Sequence, residues 1–268
     1  MTAIEGYILD LDGTVYLGER LIPGADRAIA TLRSRGRRIV FLSNKPLATR
    51  ADYAAKLARL GIPATERDVL NSSYVLAQYL ARQAPGARVF AIGEPPLLAE
   101  LEEAGLRITE DPAEIEYVIA AFDRTFGYGK LNIAFQALRR GAHFLATNPD
   151  RTCPVEDGEI PDAAAVIAAL EATAGRKVED VFGKPSHHVV DLALAALGLP
   201  PARCAVVGDR VETDMRMAKE NGLLAILTLT GVTSRADLAS CPVRPDHVIP
   251  SVAELPALDE ELAERSRL

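Results

Sequence analysis

The sequence predicts an α/β fold of parallel sheets covered on both faces by helices. Three observations carry the prediction. Short, nearly continuous apolar runs recur along the chain, as expected of strands buried on both sides. Segments with apolar residues three and four apart lie between them, the spacing of helices with one buried face. Several runs then end alike, with polar residues just past the last apolar one: Asp10 and Asp12, Ser43 and Asn44, and Asp209. In an open α/β sheet ligands bind beyond the carboxyl ends of the strands, so these residues are expected to converge.

The first strand is expected over 7–11, where Tyr7, Ile8, Leu9 and Leu11 read as core. Further strands are "RIVFLSN" (38–44), "RVFAIG" (88–93), "YVIAAF" (117–122), "HFLATN" (143–148), "CAVVGD" (204–209), "LAILTLTG" (224–231) and "HVI" (247–249). The first helix is "ADRAIATLRSRG", with Ala25, Ile29 and Leu32 on one face and Gly36 as its stop. The others are expected over 48–60, 72–82, 96–104, 130–140, 162–174, 186–197 and 212–221. The basic run "RSRGRR" at 33–38 reads as the solvated end of the first helix.

A chain of 268 residues has room for one large domain or two ordinary ones. It is 49% hydrophobic and 25% charged, a globular balance. The net charge of -7 and a pI near 5.3 argue against nucleic-acid or anionic-membrane partners. No basic segment followed by an apolar one opens the chain, so no signal peptide is expected. No apolar run approaches the roughly 18 residues needed to span a membrane. Cys153, Cys204 and Cys241 are odd in number and widely spaced, which points to a reduced, cytoplasmic protein. His143, His187, His188 and His247 lack helical pair spacing, so no zinc site is expected.

Chemistry concentrates in four stretches. "DLDGT" (10–14) brings two aspartates to the end of a core strand, where unpaired carboxylates are costly. In "FLSNKP" (41–46) a hydroxyl and an amide precede a helix start, which together make an anion site; either side chain could instead simply cap the turn. In "VFGKPSHH" (181–188) Lys184 sits between Gly and Pro. It is no Walker A lysine, because Val178 and Pro185 stand where that motif needs Gly and Ser or Thr. Taken alone it reads as a surface lysine, and His187 and His188 as first-turn helix residues. In "CAVVGDRVETD" (204–214) Asp209 repeats the strand-then-Asp design of Asp10, while Asp214 could be a helix cap.

Together the four stretches put Asp10, Asp12, Asp209 and Asp214 on one strand edge. Two carboxylates about 5 Å apart repel by about 3 kcal/mol at an effective dielectric of 20, so the group needs a cation. Oxygen-only ligands select a hard ion, and Mg²⁺ suits a few carboxylates plus phosphate and water. With Lys184, Ser43 and Asn44 added, the set suits phosphoryl transfer. An EF-hand is excluded because Gly13 comes too early and no Glu closes a twelve-residue loop. A dinucleotide site is excluded because "GYGKLN" (127–132) lacks the third glycine.

The stretches "DLDGT", "LSN" (42–44), "GKP" (183–185) and "GDRVETD" (208–214) resemble, in order, the four motifs of the haloacid dehalogenase (HAD) superfamily of phosphohydrolases. The long interval from Asn44 to Lys184 resembles the branch with a large cap between motifs two and three. That branch acts on nitrophenyl phosphate, phosphoglycolate, sugar or glycerol phosphates, pyridoxal phosphate and nucleoside monophosphates. "RVFAIGEPPLLAELEEAG", "AAFDRTFGYGKLNIAFQAL" and "ATNPD" (146–150) match it inside the insert. One departure is Lys45, where relatives commonly carry Asn; it bears on substrate preference, not on the chemistry.

The resemblance implies a Rossmann-like core over 1–80 and 179–268 and an inserted α/β cap over 81–178. It implies a Mg²⁺-dependent phosphomonoesterase. Asp10 is then the nucleophile and Asp12 the acid and base. Asp10, the Asp12 carbonyl and Asp209 hold Mg²⁺, with Asp214 ordering the shell. Ser43, the Asn44 backbone and Lys184 bind phosphoryl oxygens, and "VYLGERLIP" (15–23) is a small flap. Asn148 and Asp150, in "ATNPD", are the cap residues expected to face the leaving group, although a plain strand end explains them equally well. The partner expected is a small phosphate ester, with neither nucleic acid nor membrane; a homodimer through the cap is compatible with the sequence. The competing readings are a phosphoacceptor signalling module and an inactive phosphate-binding protein.

Overall fold

A computed structural model of the chain describes residues 3–155, 158–239 and 241–266. The chain folds into two compact units. One comprises Met1–Ser43, Ala51–Leu70 and Pro185–Leu268, the other Asn44–Arg50 and Asn71–Lys184.

The chain begins with β1 (Gly6–Asp10), the short β2 (Tyr16–Leu17) and β3 (Arg20–Leu21), α1 (Ala25–Ser34), β4 (Arg38–Ser43), α2 (Arg50–Arg59) and β5 (Val69–Asn71). It continues with α3 (Ser72–Gln83), β6 (Arg88–Ile92), α4 (Pro95–Glu103), β7 (Arg107–Ile108), β8 (Tyr117–Ala120), α5 (Tyr128–Arg139), β9 (His143–Ala146), β10 (Thr152–Val155), β11 (Gly158–Pro161), α6 (Ala163–Ala174) and β12 (Asp180–Val181). It ends with α7 (His187–Leu197), β13 (Cys204–Gly208), α8 (Arg216–Glu220), β14 (Leu224–Thr228), β15 (His247–Ile249) and α9 (Leu255–Arg265).

The first unit is built on a sheet of order β5-β4-β1-β13-β14-β15. The β4–β1, β1–β13, β13–β14 and β14–β15 pairs are parallel. From β1 the chain steps outward through β4 to β5, then returns to β13 on the other side and steps out to β15. This is the doubly wound order, and its reversal between β1 and β13 opens a crevice at their carboxyl ends. The Rossmann-like sheet follows from strands that can be buried on both faces: all of β1 and all of β13 are buried.

A buried polar cluster fastens α9 to this sheet. The Tyr7 hydroxyl donates to Asp259 Oδ1 at 2.7 Å, and Arg37 Nε donates to the same oxygen at 2.8 Å. Arg35 pairs with the other oxygen of Asp259, and Arg38 donates to the Leu197 carbonyl at 2.6 Å. Burial and the Asp259 contact push the Tyr7 phenol far up, so it stays a donor. The basic run at 33–38 is therefore not merely a solvated helix end. Removing one member of such a buried pair costs about 3–5 kcal/mol.

The second unit has its own sheet, of order β7-β6-β8-β9-β12 with parallel pairs throughout. Phe90, Ile92, Val118, Phe144, Leu138 and Leu170 form part of its core. β10 and β11 make an antiparallel hairpin. The crossings expected after residue 80 and before residue 179 lie inside this unit, because β12 pairs with β9 and α3 packs on α4. Among the described residues no helix is long and apolar enough to cross a membrane.

Candidate active site

In the first unit the topology brings three strand ends together. Leu9 pairs with Phe41 on one side and Val207 on the other, so the three strands are level. Asp10 ends β1, Ser43 ends β4, and Asp209 follows the last residue of β13. Beyond Asp209 the chain makes one wide π-type turn over Val211–Met215 before α8. Such turns recur at functional sites. Asp214 lies in this one, with no exposed surface.

Carboxylate oxygens of Asp10, Asp209 and Asp214 lie within 4.8 Å of one another, and all three residues are buried. Each pair repels by about 3 kcal/mol at an effective dielectric of 20. An all-oxygen, strongly anionic donor set fits a hard divalent cation such as Mg²⁺ better than a soft metal.

The Asp209 carboxylate is fixed by its neighbours. Val232 N–H donates to Oδ2 at 2.6 Å, and Thr233 N–H donates to the Asp209 carbonyl at 3.2 Å. Two glycines make room for it. Gly13 has φ +96°, and a Cβ there would stand 2.6 Å from Asp209 Oδ2. A Cβ on Gly231 would stand 2.0 Å from the same oxygen. The Thr230 hydroxyl donates to the Gly13 carbonyl at 2.6 Å and joins the two glycine turns. The sequence predicts a strand to 231, but β14 ends at Thr228 and residues 230–233 form a loop; Gly231, closing the apolar run, is the signal for it. Gly231→Ala is expected to weaken divalent-cation affinity about tenfold, the scale of disturbed outer contacts to a metal ligand. Titrating Mg²⁺ against thermal stability checks it, and an unchanged titration would show that the loop yields freely.

Asp214 Oδ2 accepts from Arg210 N–H at 3.2 Å. The Asp12 side chain lies outside the carboxylate trio and accepts from Gly18 N–H at 3.3 Å. It stands at the turn into the β2–β3 hairpin, the segment expected as a flap. Tyr16 in that hairpin is buried, and Lys56 Nζ lies 3.9 Å from its ring centroid. Burial, then the neighbouring Tyr53, Asp12 and Asp10, hold the Tyr16 phenol protonated. Ser43 is buried and its hydroxyl donates to Tyr53 OH at 3.2 Å.

Asn44 and Lys184 belong to the second unit. The Asn44 side chain grips the Lys184 backbone from both sides: Lys184 N–H donates to Oδ1 at 2.7 Å, and Nδ2 donates to the Lys184 carbonyl at 3.1 Å. Lys184 is only 3% exposed, so it is not the surface lysine of the local reading. Asn44 Nδ2 also donates to Asp150 Oδ2 at 2.8 Å. Asn148 Nδ2 donates to Asp150 Oδ2 at 2.9 Å and to Asp162 Oδ1 at 3.1 Å. Asn148 has no exposed surface, while Asp150 is partly exposed. Burial raises the Asp162 carboxyl, against hydrogen bonds from Ala163 N–H and Asn148. His187 and His188 open α7 behind the cap Ser186, as expected of first-turn residues.

A doubly wound sheet whose switch point carries three buried carboxylates defines the class: an α/β protein whose strand ends could hold a hard cation. A family profile described as haloacid dehalogenase-like hydrolase matches residues 7–107, and one described as HAD-hydrolase-like matches 181–255. The chain is 40% identical to the sugar-phosphatase AraL of Bacillus subtilis, over 96% of this chain and 93% of that protein. It is also similar to a 4-nitrophenylphosphatase from Thermotoga maritima, with TM-score 0.91 and 37% identity over 95% of this chain and 97% of the other. A second similar structure is a glycerol phosphate phosphatase from Mycobacterium tuberculosis in complex with magnesium, with TM-score 0.86 and 33% identity over 94% of this chain and 76% of the other. The chain belongs to the haloacid dehalogenase-like hydrolases.

Proposed function

We propose that this protein is a Mg²⁺-dependent phosphomonoesterase acting on small phosphorylated metabolites. The observation that carries the reading is the buried trio Asp10, Asp209 and Asp214 at the switch point, in a chain of this family. Mg²⁺ would be held by these carboxylates and the Asp12 carbonyl, where it would offset their charge and that of a phosphoryl group.

The chain's own residues do the rest. An Asp10 oxygen attacks phosphorus while the bond to the leaving oxygen breaks, giving an aspartyl-phosphate. Asp12 gives its proton to the leaving alkoxide. Asp12 then takes a proton from water, whose oxygen attacks phosphorus and frees Asp10 and phosphate. Ser43, the Asn44 backbone and Lys184 bind phosphoryl oxygens. The second unit acts as the cap that excludes water and contacts the leaving group. Asp150 keeps exposed surface for such a contact; Asn148 does not. Sugar phosphates, glycerol phosphate and nitrophenyl phosphate are the first esters to try, because similar proteins carry those names. A cytoplasmic location and a homodimer through the cap complete the reading.

The test is phosphate release from a panel of such esters. Turnover well beyond one phosphate per chain is expected with Mg²⁺, with none in EDTA and full recovery on adding Mg²⁺. A single phosphate per chain would instead indicate a phosphoacceptor module, and recovery by Zn²⁺ alone would contradict the hard-cation site.

A further inference from the structure

The second unit contains a hydrogen-bonded relay with two buried members, Asn148 and Asp162, that the proposed chemistry does not use. It starts at Asp162, the N-cap of α6, whose Oδ1 accepts from Ala163 N–H at 2.5 Å. It passes through the Asn148 amide to Asp150 and through the Asn44 amide to the Lys184 backbone. Asn148 and Asp162 are 0% and 4% exposed. The Thr147 hydroxyl donates to Asn148 Oδ1 at 2.8 Å, so the orientation of that amide is set. An independent feature marks how tightly the relay closes on the lysine loop. A Cβ on Gly183 would stand 2.6 Å from the Thr147 carbonyl, 2.7 Å from Asn44 Oδ1 and 3.2 Å from the Asn148 Cβ. The glycine of "GKP" is therefore required by the relay itself.

We propose that Asn148 and Asp162 are positioning residues that, through Asp150 and Asn44, fix the backbone from which Lys184 reaches the phosphoryl group. The inference rests on the phosphatase reading above. Asn148 is the pivot, because one NH₂ group serves two carboxylates at once and nothing but a side-chain amide of this length replaces it. Buried polar networks of this kind hold one geometry when every member is satisfied and lose it when one is removed. A shift of about 1 Å in a binding group far from the bond being broken can cost on the order of 100-fold in rate.

The experiment measures competitive inhibition by inorganic phosphate, KM, kcat and the Mg²⁺ half-activation concentration in full-length Asn148→Ala, Asp162→Ala and Asp162→Asn. The two Ala variants are expected to raise the phosphate inhibition constant and KM about 10- to 100-fold. Their Mg²⁺ half-activation should stay within about twofold of the parent, since the carboxylate trio belongs to the other unit. Asp162→Asn keeps an oxygen for Ala163 N–H and Asn148 and is expected to stay near the parent. If Asn148→Ala fails to fold, Asn148→Asp keeps the shape without the donors and should show the same loss of phosphate binding. Folded variants with reduced melting temperature but an unchanged phosphate inhibition constant would overturn the proposal. A parent protein that neither hydrolyses esters nor binds phosphate would overturn the phosphatase reading instead.

Discussion

Asp10→Asn is expected to bring steady-state phosphate release to background while leaving the fold intact. The amide has the shape of the carboxylate but is a poor nucleophile, so the covalent route closes. Losing a nucleophile that works as part of a unit costs on the order of 10⁴- to 10⁶-fold in turnover. At 1.36 kcal/mol per factor of ten this is about 5–8 kcal/mol of barrier. The variant also removes one charge from a trio packed within 4.8 Å, so the structure is not expected to suffer. Pure protein, an ester that the parent hydrolyses and saturating Mg²⁺ make the measurement clean. Turnover at even a tenth of the parent rate would end the assignment of Asp10 as nucleophile.

The fold was legible where the chain repeats itself. Long strands such as β1, β4, β8, β13 and β14 are apolar nearly throughout, and their parallel pairing follows from burial on both faces. β5, β7 and β12 escaped notice because two or three residues carry no periodicity, and their pairing partners define them. α9 escaped for another reason. Its buried Leu255, Leu258 and Leu262 follow helical spacing, but the stretch is short, charged and carries Pro256 in its first turn. What holds it is Asp259 on Tyr7 and Arg37, a contact across most of the chain that no local window contains.

The site divides in the same way. Asp10 and Asp209 were readable because each closes an apolar strand, and a strand end has an address in a parallel sheet. Asp214 joins them in the sequence only when the four stretches are taken together; in the structure the wide turn over Val211–Met215, in place of the helix expected from 212, brings it beside them. The groups that orient Asp209 are backbone N–H donors of Val232 and Thr233 in the loop after β14, which no side-chain motif marks. Asp162 looked like an ordinary helix start; its second bond, to Asn148, exists only because the hairpin β10–β11 returns the chain to the end of β9.

Asp209→Asn should make the metal-free protein more stable and the Mg²⁺-bound protein inactive. The three carboxylates of the trio make three repulsive pairs, each about 3 kcal/mol at an effective dielectric of 20, and removing one charge relieves two of them. Solvent and neighbouring groups screen part of this repulsion, so the observed gain is a fraction of the sum. The oxygen of the amide still accepts from Val232 N–H, now 2.6 Å from the carboxylate, which keeps the loop in place. Cation binding moves the other way. Disturbing outer partners of a metal site costs about 10–100-fold in affinity, and a charged ligand is worth at least that. At a Mg²⁺ concentration 100 times its Kd the parent gains about 2.7 kcal/mol from binding; a hundredfold loss of affinity leaves about 0.4 kcal/mol. Thermal denaturation with EDTA and with Mg²⁺ reads both arms at once. The expected result is a higher melting temperature than the parent in EDTA and almost no further rise with Mg²⁺, together with loss of phosphate release. An ordinary core substitution lowers both curves, so it cannot imitate opposite signs. A variant less stable than the parent in EDTA, or one that keeps the full Mg²⁺ shift, would mean that the trio is not the cation site.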